Sequence, residues 1–372
     1  MTESQATAEL QTMMRSIIQR IATGPELSKD ISTDEARMGM QAILENAVDP
    51  VQAAIFFIAL RMKRETDDEN KGVLEAIREA THSVTADVDE VVDIVDPYDG
   101  YNRSLSPSPF LPPVLAACGV PAFSHGLKAV GPKYGVTHRY VWEALGLNVD
   151  LSPAAAAERL ADPELGWAYV DQKMFCPKLH DLLPLREKMI KRQVLTTVEV
   201  LPKAISGRKK THLVTGYVHK PYPPKYATLA RHVGYNSALL VRGVEGGVIP
   251  SLRQAGKCFF YQEMGELQEM DLDPTAIGIE QTVRITPLPE NLPTANRPGD
   301  EIAISVDTEA TAQATADAGM AALKGEKSST YDALVYSASL ILMQTGRVKS
   351  MNEGAAMVRE VLDSGAAASR IR

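Results

Sequence analysis

The chain has 372 residues, 45% of them hydrophobic and 23% charged, the balance of an ordinary globular protein with room for two domains. Its longest apolar run, Val51–Leu60, contains a Gln and is far short of the ~18–20 residues a membrane span needs, and the first ten residues have neither the basic nor the apolar stretch of a signal peptide. Three widely spaced cysteines, Cys118, Cys176 and Cys258, offer neither a disulfide framework nor a zinc knuckle, so the sequence reads as a cytoplasmic protein with reduced core thiols.

Residues 9–82 read as consecutive amphipathic helices. Glu9–Ala22 has apolar residues at helical spacing and stops at Gly24-Pro25. Ser32-Thr33-Asp34-Glu35 supplies an N-cap and an acidic first turn for a helix to Asn46. Pro50 opens an apolar helix through Leu60, and Asp67-Asp68-Glu69 opens one to Thr81. The pattern then changes. Short apolar strands are expected at Val91–Val95, Val120–Phe123, Ala168–Val170, Leu213–Val218, Ala238–Val241 and Cys258–Tyr261, with helices between them. That alternation argues for an α/β sheet that is at least partly parallel. Pro287, Pro289, Pro293 and Pro298 mark a long loop, and helices are expected at Glu309–Leu323 and Thr330–Ser364, the second broken near Gly346.

Formal net charge is −8, which by itself disfavours a polyanion partner. The distribution is uneven. Between Lys173 and Arg231 lie 13 Lys/Arg and three acids, a net +10, which leaves −18 on the other 313 residues. Such a segment is either a solvated basic face or a site for phosphates, in a small ligand or along a nucleic-acid backbone. A helix beginning at Pro184 would place Lys188, Lys191 and Arg192 on one face, at i, i+3 and i+4. Arg208-Lys209-Lys210 extends the patch, and Tyr217, Tyr222 and Tyr226 interleave with Lys220 and Lys225, as base stacking beside phosphate contacts would need.

The turn Tyr98-Asp99-Gly100-Tyr101-Asn102-Arg103 follows a strand, where ligands bind in open α/β sheets. It is either an anion loop or an ordinary tight turn, since it has one glycine and Pro97 removes a donor. His125, in Ser124-His125-Gly126-Leu127-Lys128, is either a ligand contact or a structural hydrogen-bonding residue. Lys128, Lys133, His138 and Arg139 add positive charge there. No P-loop, HExxH, nucleophile elbow or Cys–His constellation occurs.

The order of motifs resembles the anthranilate phosphoribosyltransferase family, a glycosyltransferase family of the nucleoside-phosphorylase-like superfamily. The resemblance lies in Ala59-Leu60-Arg61-Met62-Lys63-Arg64-Glu65-Thr66, in Gly119-Val120-Pro121 with His125-Gly126 and Ala129-Val130, in Glu143-Ala144-Leu145-Gly146, and in Gly354 through Ala366. It implies a helical N-terminal domain (1–86, joined by a helical segment near 178–205), an α/β domain (87–177 and 206–372) and a homodimer through the helical domain.

The family's activity does not follow from the matching positions. Its glycine-rich diphosphate loop is here Asp96-Pro97-Tyr98-Asp99-Gly100, its Asn-Ile-Ser-Thr is Ser106-Pro107-Ser108-Pro109, and its Lys-His-Gly-Asn-Arg is Ser124-His125-Gly126-Leu127-Lys128. Its magnesium-holding Asp-Glu is Val248-Ile249, after Arg242-Gly243-Val244-Glu245-Gly246-Gly247. These departures are similar to the YbiB-type paralogues, which share the fold but bind nucleic acid. The resemblance thus implies a protein without cofactor or metal that binds single-stranded nucleic acid or a small phosphorylated ligand. Arg103, Lys128, Arg186, Lys188, Lys191, Arg192, Lys209 and Lys210 are the expected phosphate contacts, with Tyr98 and Tyr217 as stacking surfaces. The cleft would hold Tyr98, Asp99, Asn102, His125, Arg242 and Glu245. The alternative is a transferase or phosphorylase of altered specificity acting on a phosphoribosyl compound, with the same cleft as its active site.

Overall fold

The computed structural model describes residues 3–24, 26–295 and 306–372. Pro298 therefore lies outside the described residues. Four helices open the chain: α1 (Glu3–Ile21), α2 (Thr33–Leu44), α3 (Pro50–Lys63) and α4 (Asp67–Glu79). Their starts follow from local chemistry. Ser32 with Glu35, and Thr66 with Glu69, form reciprocal capping boxes, while Asp49 caps α3 with Pro50 in its first turn. α2 and α4 pack against each other so closely that a Cβ on Gly72 would lie 2.1 Å from the Thr33 carbonyl. Buried Glu69 ties the bundle, accepting from the Ile31 N–H at 3.0 Å and meeting Lys63 Nζ at 2.7 Å.

Short β1 (Val84–Thr85) leads into β2 (Glu90–Val95), followed by α5 (Leu111–Ala117), β3 (Ala122–Gly126), α6 (His138–Ala144), α7 (Pro153–Ala161) and β4 (Trp167–Asp171). The chain then returns along the bundle through four short helices: α8 (Gln172–Phe175), α9 (Pro177–His180), α10 (Leu183–Met189) and α11 (Leu195–Val198). α10 packs on α3 and α11 on α4. β5 (Ile205–Ser206) pairs with β1, and β6 (Lys210–Gly216), α12 (Tyr222–His232), β7 (Ser237–Val241), β8 (Gly256–Tyr261) and β9 (Gln268–Leu272) complete the sheet. Helices α13 (Thr308–Leu323), α14 (Ser329–Gln344) and α15 (Met351–Asp363) close the chain.

The seven-stranded sheet runs β4-β3-β2-β6-β7-β8-β9. β4 through β7 are mutually parallel, and β8 and β9 are antiparallel additions. From β2 the chain winds one way to β3 and β4, then returns on the other side as β6 and β7, so the strand order reverses between β2 and β6. One sheet face shares a core with the helical bundle, through Phe56, Leu74, Phe175, Leu195 and Leu213. The other face packs on α5, α6 and the last three helices, through Phe110, Trp142, Leu239 and Leu334. All three cysteines are buried and unbridged, and burial pushes the Cys118 and Cys258 thiols up to about 12.

Two expectations shift. The strand after Gly119 begins at Ala122, because Gly119 turns in the left-handed region and Pro121 gives only its carbonyl to Val92. The basic helix is shorter than its charge pattern predicts. It ends at Met189, Ile190 turns in the left-handed region with φ 64°, and Lys191 and Arg192 lie beyond it. Lys188, Lys191 and Arg192 therefore do not share a helical face. The reversal at Ile190 brings α11 back, so that Glu199 at its end meets Arg186.

Candidate ligand cleft

The carboxyl ends of β2, β6 and β7 open into a cleft of about 1410 Å³ between the sheet and the returning helical segment. It sits where the strand order reverses, the place where the geometry of open α/β sheets leaves a crevice. Nine Lys/Arg line it (Arg61, Arg103, Lys133, Arg186, Arg192, Lys220, Arg242, Lys257, Arg284), against five acids (Asp99, Glu199, Glu245, Glu269, Asp271).

The loop after β2 is fixed by its own polar groups. Asp96 is buried, hydrogen-bonds Ser108 and His138 Nε2 (3.0 Å to the latter), and accepts the Val248 N–H at 3.0 Å. Burial alone would push its carboxyl up; His138, with Ser108, outweighs that and holds it below the ordinary value. Tyr98 hydrogen-bonds His125 Nδ1, and His125 Nε2 lies 3.2 Å from Asp93. Asp99 takes Arg192 at 2.6 Å and Lys133 at 3.3 Å. Glu245 reaches across from the loop after β7, accepting the N–H groups of Asn102 and Arg103 at 3.1 Å each and the Ser104 hydroxyl at 2.7 Å. The crossing of these loops needs a glycine, since a Cβ on Gly247 would lie 1.5 Å from Tyr101 Oη.

Aromatic rings form one wall. Tyr222 lies 5.7 Å from Tyr226 and 6.3 Å from His219, and Tyr217 meets Phe259 edge-on at 6.1 Å, centroid to centroid. Burial pushes the Tyr217 hydroxyl up, opposed by the charge of Arg242. Arg61 is pulled down by burial, but its bonds to Tyr222 and Glu65 leave it raised.

The structure gathers Tyr98, Asp99, Asn102, Arg103, Arg186, Arg192, Tyr217, Arg242 and Glu245 at this cleft. Their availability differs. Arg186 is buried in a two-pronged pair with Glu199, at 2.6 and 2.7 Å, so its donors face inward. Tyr98 is buried and His125 sits behind it, away from the open cleft. Other predicted contacts fall elsewhere. Lys128 pairs with Glu143 outside the cleft. Lys209 pairs with Asp89 and Lys210 with Glu263, at the amino end of β6, whereas the cleft opens at its carboxyl end. Lys188 and Lys191 are exposed but do not line the cleft.

The +10 segment is thus largely answered in space by acids from the rest of the chain. Among the described residues, only Lys188, Lys191 and Lys220 of its 13 cations have no side-chain or carbonyl partner, as Lys173, Lys178, Arg208 and Lys225 also meet carboxylates. The cations that most clearly stand free at the cleft come from outside that run: Arg103, Arg242 and Arg284. Arg61 was read only as part of the motif shared with the family, and Lys257 and Arg284 carried no signal in the sequence, because only the fold brings them to the cleft.

The chain thus joins an N-terminal helical bundle to a largely parallel α/β sheet, with a cleft at the strand-order reversal. Residues 15–81 match the glycosyl transferase family, helical bundle domain, and residues 99–368 match the glycosyl transferase family, a/b domain. The chain therefore belongs to this glycosyl transferase family and is anthranilate phosphoribosyltransferase-like. It is 27% identical to the anthranilate phosphoribosyltransferase of Bradyrhizobium diazoefficiens, covering 96% of this chain and 97% of that one. It is also 27% identical to an uncharacterized protein of Aquifex aeolicus, covering 89% and 93%. The fold matches anthranilate phosphoribosyltransferase of Thermus thermophilus, with TM-score 0.73, 22% identity and 96% and 97% coverage. It matches the Saccharomyces cerevisiae enzyme in complex with PRPP and Mg equally well, with TM-score 0.73, 17% identity and 97% and 96% coverage.

At the positions that resemble the family's metal carboxylates, Val248 and Ile249 are buried. Apolar side chains give a hard cation no oxygen ligand, so these two positions do not fit magnesium. Nearby Asp96 is already committed to His138, Ser108 and Val248 N–H.

Proposed function

We propose that this chain is a paralogue of anthranilate phosphoribosyltransferase without that activity, and that its cleft binds single-stranded nucleic acid. One observation carries the reading. Arg103, Arg242, Arg284 and Lys220 line the cleft with no side-chain partner among the described residues, beside the Tyr222 and His219 rings, whereas Tyr217, expected as a stacking surface, is buried. Free cations meet phosphates, and rings take bases without regard to sequence. The cleft volume, about 1410 Å³, also exceeds the ~300–1,000 Å³ usual for a small-molecule site. Asp96, Val248 and Ile249 leave no evident place for the cation that would stabilise a departing diphosphate. The chain acts as a homodimer in the cytoplasm on this reading.

The test is titration of a labelled single-stranded oligonucleotide against the wild type and the double variant Lys220→Glu, Arg242→Glu. Wild type binds, and the double variant loses at least about tenfold in affinity, as expected for two reversed phosphate contacts. Equal affinity for both proteins contradicts the assignment. A second reading, phosphoribosyl transfer of altered specificity, is favoured by the near full-length match to relatives named for that transfer. It predicts a rise in melting temperature with phosphoribosyl diphosphate at saturating concentration.

A further inference from the structure

The seven histidines of the chain differ in what holds them. His125, His138, His212 and His232 lie against Asp93, Asp96, Glu90 and Glu75, each within 3.2 Å. His219 is the one that lines the cleft, and it is exposed. Its ring has no hydrogen bond or ion pair among the described residues; its contact is Tyr222, at 6.3 Å between ring centroids. Tyr222 is placed in turn by Tyr226, 5.7 Å away, and by its bond to Arg61 of the helical bundle. The other charged groups packed around this loop are Lys220 on the loop itself, Lys225 on α12, and Arg242 and Glu245 after β7, where a Cβ on Gly246 would lie 2.7 Å from Val218. The nearby carboxylates are taken: Glu245 by the Asn102 and Arg103 N–H groups and the Ser104 hydroxyl, Glu65 by Arg61, and Asp67 by Lys225.

We propose that His219 is a proton-dependent contact of the cleft: protonated, it adds a cation beside Lys220 for a phosphate of the bound strand, so that binding tightens as pH falls below neutrality. The inference rests on the reading of the cleft as a nucleic-acid site and adds to it a response to pH. Histidine is the side chain whose ordinary titration crosses the range between about pH 5 and pH 8. A histidine paired with a carboxylate spends its charge on that pair and offers none to a ligand. At His219 no carboxylate does so, and a phosphate placed there favours the charged ring. Phosphodiesters stay singly charged across the same range, so a strand without terminal phosphates brings no pH response of its own. One single-strand contact scales as salt to about the −0.7 power, which makes an added contact worth about fivefold at ~0.1 M salt.

The experiment measures binding of a labelled single strand without terminal phosphates, at about pH 8 and about pH 6, each across a salt series. The proteins are the wild type, His219→Phe, which keeps a ring beside Tyr222 without a charge, and His219→Lys, which carries a charge at both pH values; all are checked for folding by circular dichroism. Wild type should bind about two- to fivefold more tightly at the lower pH, and its slope of log Kobs against log salt should steepen by up to about 0.7. His219→Phe should bind with the same slope at both pH values and with affinities within about 1.5-fold of each other. His219→Lys should be equally indifferent to pH, with a slope about 0.7 steeper than that of His219→Phe. A wild type indifferent to pH, or a His219→Phe protein that keeps the full pH response, overturns the inference and leaves nucleic-acid binding intact. No strand bound by any of the proteins at either pH removes the nucleic-acid reading, and this inference with it.

Discussion

Arg186 and Glu199 show how little a residue's type says about its task. Both are buried, joined by two charge-assisted bonds, and they tie α10 to the end of α11. Removing one partner strands the other charge in the core. Arg186→Gln should therefore cost about 3–5 kcal/mol of stability, read by denaturant unfolding, with any loss of ligand binding following from unfolding. Asp96 gives a prediction with a pH sign. Its folded carboxyl titrates below the unfolded value of 3.8, so its stabilisation is fully present at neutral pH and fades as pH falls through that lowered value. Asp96→Asn should be less stable than wild type at pH 7, and the difference should shrink only as pH falls below about 3.8 and through the lowered value. A constant difference down to acid unfolding would show that the carboxylate charge is not what matters. Neither role was legible in the sequence. Arg186 counted there as one more phosphate contact, because the identity of a buried partner is settled by tertiary packing.

At the scale of elements, β6 sorts the basic residues. Lys210 opens it and Gly216 closes it, seven residues that span roughly 20 Å at the usual rise per residue. Lys209 and Lys210 are therefore a strand's length from the cleft, and both already have acidic partners. The double variant Lys209→Glu, Lys210→Glu should bind the labelled oligonucleotide within about twofold of wild type at physiological salt, where the Debye length is about 8 Å. A tenfold loss would place a contact surface outside the cleft. Elements were the most legible level. The cap at Ser32, the acidic helix start at Asp67-Asp68-Glu69 and apolar strands such as Ala238–Val241 declare themselves locally. β9 did not, since Gln268-Glu269-Met270-Asp271-Leu272 is a mostly exposed edge strand without an apolar run. The end of α10 at Met189 was hidden too, because a left-handed Ile190 is imposed by the packing of α11 and by no local breaker.

At the scale of the molecule, the alternation of helices and strands specified an α/β sheet beside a helical bundle, and the motif order specified the family. The charge map did not survive folding in the same way: a +10 run along the chain becomes a set of ion pairs, and the cleft draws its free cations from four separate loops. Linear charge counts cannot see this, because they ignore which acids fold back. The helical domain exposes Leu27, Met38, Val51 and Met62, and the last two are eleven residues apart on α3, about three turns, so they lie on one stripe. That stripe suits the proposed homodimer. Sedimentation should show a dimer for wild type, and Val51→Glu with Met62→Glu should shift it to monomer; an unchanged dimer would place the interface elsewhere.

The central claim is that the cleft neutralises the phosphates of a single strand. Fluorescence anisotropy of a labelled oligonucleotide across a salt series, on protein free of co-purified nucleic acid, tests it most directly. With Arg103, Lys220, Arg242 and Arg284 each meeting a phosphate, log Kobs should fall with log salt at about −0.7 per contact, a slope near −3. Binding that is absent at low salt, or indifferent to salt, would contradict the account.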